Sequence, residues 1–167
     1  MRIVGIMAVH GRREITLATL RMLQERQTMA LSHILIMGGP EERDYAAEVG
    51  CDFLEVPNQP LGRKYQAGLF WSRVYDPDAI VILQSDTWLN PYYVERAALI
   101  VRQQPDRWFG MYRWNPCKVA RNQPLMIRRH VQYSAEYRQD PVGAGRVFPR
   151  TLSPVLRLNF RICAIDT

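Results

Sequence analysis

Short apolar runs alternate along the chain with longer segments in which apolar residues recur at helical spacing. Each run predicts a strand, and a continuous run such as residues 79–83 predicts one that is buried on both faces, as in a parallel sheet. The runs lie at residues 2–9, 33–37, 51–56 and 79–83. The helical segments lie at residues 14–27, 41–49, 63–75 and from about 91 to 104. The first 105 residues therefore predict the order β-α-β-α-β-α-β-α, which is typical of an α/β domain with a mostly parallel central sheet flanked by helices.

The third helical segment has an apolar stripe that predicts how the helix is oriented. Four of its residues recur at the i, i+3, i+4, i+7 spacing of one helical face. These residues are Ala67, Phe70, Trp71 and Val74. We expect this face to pack against the core, with the cationic pair Arg63 and Lys64 on the opposite face at the start of the helix.

Polar residues follow the fourth apolar run directly. The run gives way to Gln84, Ser85 and Asp86, and Asn90 with Pro91 then begins a helix as an N-cap residue followed by proline. Ligands of open α/β sheets bind beyond the carboxyl ends of the strands. Asp86 is therefore a candidate functional residue, and the alternative is that it only caps a turn.

The segment Gln84–Pro91 resembles the "DSDDWLSP"-type segment of family-2-like glycosyltransferases, which have the GT-A fold. In that family the acidic residues hold a divalent metal ion and the sugar-nucleotide. Gln84 and Thr87 stand at two of the three acidic positions, so only Asp86 is retained. The resemblance implies a GT-A-like, Rossmann-like domain in which Asp86 binds Mn²⁺ or Mg²⁺ while the substrate's phosphates supply further oxygens. It also implies that Gln84 and Ser85 contact the donor.

Two other strand ends correspond to donor-binding positions of this family. Ala8–Arg12 occupies the place of a "PTYNR"-like turn that cups the nucleotide, which implies donor contacts from Ala8, His10 and Arg12. Gly38 stands where many relatives have an aspartate that reads the base, so the donor nucleotide is left open. Gly38 is itself a candidate donor contact because glycine allows a ligand to approach the backbone closely, although it can equally form a turn.

The segment Asn58–Leu69 resembles the family's "N-x-G-x-x-x-A-R-N-x-G" segment, which implies donor contacts from Arg63, Lys64 and Gln66. Two cations at a helix N-terminus are suited to binding a diphosphate. The alternative is an ordinary basic surface. The segment Val142–Arg150 looks like the "GAGR" segment that lies near donor and acceptor in some short members of the family. Arg146 is the candidate residue there.

The length of 167 residues predicts one domain, with a nucleotide-binding half at 1–105 and an acceptor-side half at 106–167. No apolar run is long enough to span a membrane, and the N-terminus has no signal-peptide pattern. The three cysteines are far apart and form no metal motif, which suits a reducing compartment. We therefore expect a cytoplasmic protein.

The net charge of +6 belongs to the last third of the chain. Residues 1–112 contain 12 basic and 13 acidic residues, whereas residues 113–167 contain 10 and 3. Arginine favours bidentate contact with phosphate, and aromatic side chains can stack on bases or sugars. The arginines are Arg113, Arg121, Arg128, Arg129, Arg138, Arg146, Arg150, Arg157 and Arg161, and Tyr112, Trp114, Tyr133 and Tyr137 are interleaved with them. Our hypothesis is an anionic acceptor, such as DNA with a modified base, and the alternative is a solvated basic surface.

Glycosyl transfer from a nucleoside diphosphate requires that the leaving diphosphate be neutralised. Asp86 through a metal ion, together with Arg63, Lys64 and Arg146, can meet this need. An inverting enzyme also needs a general base for the acceptor hydroxyl. The late "ED"-type motif that supplies this base in the family is absent, and the remaining late candidates are Asp140 and Asp166. A retaining mechanism, which needs no such base, stays open.

Two other classes of protein are compatible with the sequence. A nucleotidyltransferase can share this α/β topology and usually has a glycine-rich basic motif after the first strand, which Ala8–Arg13 matches only faintly. A non-catalytic module that binds a sugar-nucleotide or an anionic polymer would explain why two of the family's carboxylates are absent.

Overall fold

The computed structural model of the chain describes residues 1–110 and 145–152, together with the backbone of residues 117–118 and 126–127. The helices are α1 (Arg13–Glu25), α2 (Arg43–Val49), α3 (Leu61–Trp71) and α4 (Tyr93–Gln103). The strands are β1 (Ile3–Ala8), β2 (His33–Gly38), β3 (Asp52–Glu55), β4 (Ala79–Gln84), β5 (Cys117–Lys118), β6 (Met126–Ile127) and β7 (Val147–Pro149). Short 3₁₀ helices lie at Pro40–Glu42, Ser72–Tyr75 and Arg150–Leu152. The eight predicted elements of the first 105 residues are confirmed, with ends shifted by a few residues.

The central sheet has five strands in the order β3-β2-β1-β4-β7. The first four strands are parallel to one another, and β7 is antiparallel to β4. The predicted α/β fold with a mostly parallel sheet is therefore confirmed. The chain proceeds from β1 to β2 on one side and reaches β4 on the other, so the gap beyond the carboxyl ends of β1 and β4 is a topological switch point of the kind where such sheets bind ligands.

Apolar side chains cover both faces of the sheet. On one face, Met7 and Leu83 of the sheet pack with residues of α1 and α4, including Leu20 and Val94. On the other face, β1, β2, β4 and β7 pack against Tyr65 and other residues of α3 and the 3₁₀ helix that follows it. Burial on both faces explains why these strands appear in the sequence as continuous apolar runs and not as alternating ones. Within the described ranges, no helix is long and apolar enough to cross a membrane.

The predicted orientation of α3 was wrong. Phe70 and Val74, which we expected in the core, are 67% and 68% exposed, and Trp71 is also exposed. The buried positions are instead Lys64 and Gly68, followed by Ser72 just after the helix.

Glycine 68 explains the observed orientation. A Cβ atom at Gly68 would lie 2.0 Å from Sδ of Met37 in β2, so the absence of a side chain lets α3 lie close against the sheet. The sequence pattern had the correct period but the wrong phase, because glycine, lysine and serine count as polar or neutral in a hydrophobicity pattern.

Candidate functional site

The carboxyl ends of β1, β2 and β4 meet at one edge of the sheet because the three strands are parallel. The antiparallel β7 brings the residues before it to the same edge. The N–H of Gly145 donates to the carbonyl oxygen of Ile82 at 2.7 Å, and the N–H of Ile82 donates to that of Arg146 at 2.8 Å. Most of the site residues predicted within the described ranges therefore lie around one edge.

An ion pair spans the gap between β1 and β4 at this edge. Nη1 of Arg12 lies 2.9 Å from Oδ2 of Asp86. The side chain of Arg12 is 62% exposed and that of Asp86 is 37% exposed. Two residues that are 74 positions apart in the sequence are thereby brought into contact at the switch point. Asp86 therefore has a long-range partner, which a residue that only caps its own turn would not need.

The backbone at Arg12 has an unusual conformation. Arg12 has φ 49° and ψ 47°, in the left-handed region, and Gly11 before it has φ 60°. Non-glycine residues in this region are uncommon, and they cluster at functional sites where the surrounding structure holds them in place. Arg12 is also the N-cap residue of α1, and its side chain makes no capping hydrogen bond to the helix.

Glu42 holds the turns after β1 and β2 together. Its side chain is fully buried, with Oε1 accepting from the N–H of Gly11 at 2.9 Å and Oε2 accepting from the N–H of Gly39 at 2.6 Å. Because a buried carboxylate requires hydrogen-bond partners, these two amides fix the relative position of the turns. A Cβ atom at Gly38 would lie 2.8 Å from Cβ of Glu42, so Gly38 makes room for this carboxylate.

Sequence reasoning missed Glu42. Glu42 is the second residue of the segment 41–49 that the sequence predicts as a helix, and carboxylates in a first helical turn are common and usually exposed. The available signal was the pair of glycines before Pro40, because two glycines at a strand end leave space that a following side chain can fill.

Lys64 is buried, whereas Arg63 beside it is exposed. Nζ of Lys64 donates to the carbonyl oxygen of Val9 at 2.5 Å and to Oδ1 of Asn58 at 2.5 Å. Burial lowers the pKa of Lys64, and the negative charges of Glu42 and Glu41 partly offset this shift. The two cations therefore do not form the exposed pair on one helix face that the sequence predicted. Lys64 instead braces the end of β1 against the loop before α3.

The structure contains a set of metal-ligand types beside this network. His10, Glu41 and Glu42 have ligand atoms within 4.8 Å of one another, and no other such group of three occurs in the described part of the chain. Both oxygens of Glu42 already accept amide hydrogens, and Nδ1 of His10 lies 3.5 Å from its Oε1. We interpret this set as part of the hydrogen-bonded support of the edge, with the charge of Lys64 nearby.

The predicted metal ligand Asp86 lies outside that set. It provides one carboxylate in the loop after β4, whereas the side-chain oxygen of Gln84 accepts from the hydroxyl of Thr87 at 3.2 Å. Oxygen donors of this kind suit Mg²⁺ or Mn²⁺, and a single protein carboxylate can suffice where substrate phosphates complete the coordination. The residues present therefore fit a weakly held ion.

The remaining predicted donor contacts differ in how accessible they are. His10 and Gln84 are exposed, Gln66 and Ala8 are half-buried, and Ser85 is buried. The guanidinium of Arg146 lies over the ring of Trp108, 5.7 Å from its centroid. The candidate bases Asp140 and Asp166 lie outside the described residues.

Tyr65 lines the same end of β4 from α3. Its hydroxyl donates to the carbonyl oxygen of Leu83 at 3.3 Å, and burial raises its pKa to about 12. Tyr65 is therefore a neutral hydrogen-bond donor at neutral pH and adds no charge to the edge.

Comparison with known proteins shows the fold but no family. No family model matches the chain, and no curated protein matches it. Among solved structures, 4-diphosphocytidyl-2C-methyl-D-erythritol synthase superposes with a TM-score of 0.60 at 11% identity, over 100% of this chain and 82% of that one. CMP:2-keto-3-deoxy-manno-octonic acid synthetase complexed with CTP superposes with a TM-score of 0.56 at 13% identity, over 92% of this chain and 76% of that one. Residues 1–349 of S. aureus TarS superpose with a TM-score of 0.55 at 10% identity, over 95% of this chain and 49% of that one. The Rossmann-like fold is thus confirmed, whereas membership of the family-2-like glycosyltransferases stays a prediction.

The contrast between Arg63 and Lys64 gives a direct test of the site. We expect Lys64→Ala to lower the free energy of unfolding by about 2 kcal/mol or more, because the buried carbonyl of Val9 and the half-buried amide of Asn58 lose their donor and a cavity is left. Arg63→Ala, one position earlier on the exposed surface, should change it by less than about 0.5 kcal/mol. Urea unfolding followed by circular dichroism measures both. Similar losses in the two variants would contradict the buried brace.

Proposed function

We propose that the protein is a nucleotide-dependent transferase that moves a sugar from a nucleotide-sugar donor to an acceptor. The contact between Arg12 and Asp86 at the switch point is the observation that carries the proposal. It places a cation suited to phosphate and a carboxylate suited to a divalent ion at the position where sheets of this type bind their ligands.

Residues at this edge are suited to binding the donor's diphosphate. Arg12 and Arg146 can bind the donor's phosphates, and the buried network of Glu42 and Lys64 holds the turn that presents Arg12. Asp86 would hold Mn²⁺ or Mg²⁺, with oxygens of the donor's phosphates completing the coordination. When bound, such an ion neutralises charge on the leaving diphosphate.

A nucleotidyltransferase is the second candidate, and it is favoured by the turn after β1. Gly11, Arg12 and Arg13 lead into α1, whose start has no side-chain cap and is thus suited to an anionic group. Two of the similar structures carry names that include a cytidine nucleotide or a diphosphocytidyl compound. Both candidates bind a nucleoside polyphosphate at this edge, and they differ in the bond that is broken.

The leaving group distinguishes the candidates. The protein should be incubated with a panel of nucleoside-diphosphate sugars and, separately, with nucleoside triphosphates and sugar phosphates, with and without Mn²⁺. Release of a nucleoside diphosphate is the result we expect, and release of pyrophosphate would identify a nucleotidyltransferase. Binding measured by calorimetry without release of either product would identify a non-catalytic binding module.

Replacement of Asp86 tests its proposed role. We expect Asp86→Asn to abolish the gain in donor affinity that Mn²⁺ confers on the wild-type protein, because the amide loses the charge that binds the ion. The thermal midpoint should change little, since the side chain is partly exposed and lies in a loop after β4. Calorimetric titration of the donor with and without Mn²⁺ provides the measurement. An unchanged dependence on Mn²⁺ would remove Asp86 from the proposed metal site.

The proposed anionic acceptor is tested by binding across a salt series. Only Arg146 and Arg150 of the late arginines lie in the described ranges, and Arg150 pairs with Asp76 at 2.7 Å at the opposite edge of the sheet. We therefore expect Arg146→Gln to weaken binding of single-stranded or duplex DNA and Arg150→Gln to leave it nearly unchanged. The affinity for DNA should fall steeply as the salt concentration rises. Binding of arginines to phosphates releases counterions from the DNA, and this release becomes less favourable at high salt. If DNA does not bind even at low salt, a neutral sugar or a protein is the better acceptor.

A further inference from the structure

The ion pair between Arg12 and Asp86 occupies atoms that the proposed function needs for other partners. The guanidinium of Arg12 is the group suited to donor phosphate, and Oδ2 of Asp86 is an oxygen suited to a divalent ion. In the structure these groups contact each other at 2.9 Å. Each therefore blocks a binding position of the other.

The structure holds this pair from both sides. On the side of Arg12, the buried carboxylate of Glu42 fixes the N–H of Gly11, and the left-handed backbone then leads into α1. On the side of Asp86, the preceding residue Ser85 is buried at the end of β4. The backbone next to each partner of the ion pair is therefore held in place by buried contacts.

A neighbouring ion pair provides a matched comparison. Arg13, adjacent to Arg12, has its guanidinium on Glu48 of α2, which also pairs with Arg21 of α1. This pair joins α1 to α2, and it includes neither Arg12 nor Asp86. Variants of Arg13 and Glu48 therefore remove the same charges as variants of Arg12 and Asp86 but leave the contact between Arg12 and Asp86 in place.

We infer that the Arg12–Asp86 pair is a latch that makes a divalent ion and a nucleotide phosphate help each other to bind at the proposed donor site. This inference rests on the proposed function. Asp86 can coordinate an ion fully only after Arg12 has left it, and Arg12 can donate to phosphate only after it has left Asp86. Once one ligand has opened the latch, the other binds without that cost, and the coupling is the same in both directions.

The size of the coupling follows from the exposure of the two side chains. Partly exposed ion pairs contribute little to stability, and their measured strength corresponds to roughly a two- to five-fold change in an equilibrium constant. Opening the latch permanently by mutation should therefore raise the affinity for the remaining single ligand by about this factor. A simple loss of a binding residue would have no such effect.

Two single-ligand titrations test the latch. The first measures the dissociation constant of Mn²⁺ alone for the wild type, Arg12→Gln and Arg13→Gln. Both variants remove one positive charge at adjacent positions, so any general charge effect is shared. We expect Mn²⁺ to bind Arg12→Gln roughly two- to five-fold more tightly than Arg13→Gln.

The second titration measures CDP and UDP in the presence of EDTA for the wild type, Asp86→Asn and Glu48→Gln. Both variants remove one negative charge; Asp86→Asn releases Arg12, and Glu48→Gln releases Arg13 and Arg21. We expect Asp86→Asn to bind the nucleotide about two- to five-fold more tightly than Glu48→Gln, because only the first variant frees Arg12. Because the two titrations open the latch from opposite sides, the inference is still tested if one variant fails to fold by circular dichroism.

The outcomes separate the latch from the proposed function. If the wild type binds Mn²⁺ and a nucleotide but each variant matches its control, the latch is overturned and the donor site stands. If the wild type binds no nucleotide at all, both are overturned. Tighter binding of the single ligand in the latch variants, relative to their controls, supports the inference.

Discussion

The position of β1 between β2 and β4 is the constraint on which the site depends. The strand is buried on both faces and pairs in parallel with a neighbour on each side, so the loops that leave β1 and its neighbours must begin at the same edge. The connection to β2 turns one way and the chain later returns to β4 on the other side, which leaves a gap between them. Arg12 and Asp86 lie across this gap.

Charged groups buried beside the gap give the edge its shape at some cost in stability. Glu42 and Lys64 are both removed from water, although a buried carboxylate or ammonium is unfavourable unless it is well hydrogen-bonded. Glu42 meets this requirement with two amides and Lys64 with two oxygens. The four contacts connect the turns after β1 and β2 to the loop before α3, so the groups act as a framework for exposed residues and need not contact a ligand themselves.

The sequence predicted the elements of the first 105 residues because each is encoded by a local pattern: continuous apolar runs for the strands and helical spacing for the helices. The resemblance to a family also directed attention to Arg12, Lys64 and Asp86. It did not reveal that Arg12 and Asp86 contact each other, since that depends on strand order. The predicted orientation of α3 was wrong because Gly68, which has no side chain to contribute to an apolar pattern, makes the close contact with the sheet.

The burial of Glu42 and Lys64 could not be predicted for a related reason. Both are residue types that are almost always exposed unless paired. Their burial follows from space left by Gly38 and from oxygens supplied by Val9 and Asn58, all of which come together only in the folded chain. Patterns in sequence describe one element at a time, whereas these contacts join several.

The short antiparallel contact between Phe109 and Val147 has a consequence for how this fold can vary. Their backbones exchange two hydrogen bonds, at 3.2 and 2.7 Å, so the long intervening segment begins and ends at neighbouring points beside β4. The entropy lost on closing a loop grows only with the logarithm of its length. Insertions or exchanges between these two residues would therefore alter the stability of the sheet little, and a lineage could vary this segment while the strands and turns at the carboxyl edge stay as they are.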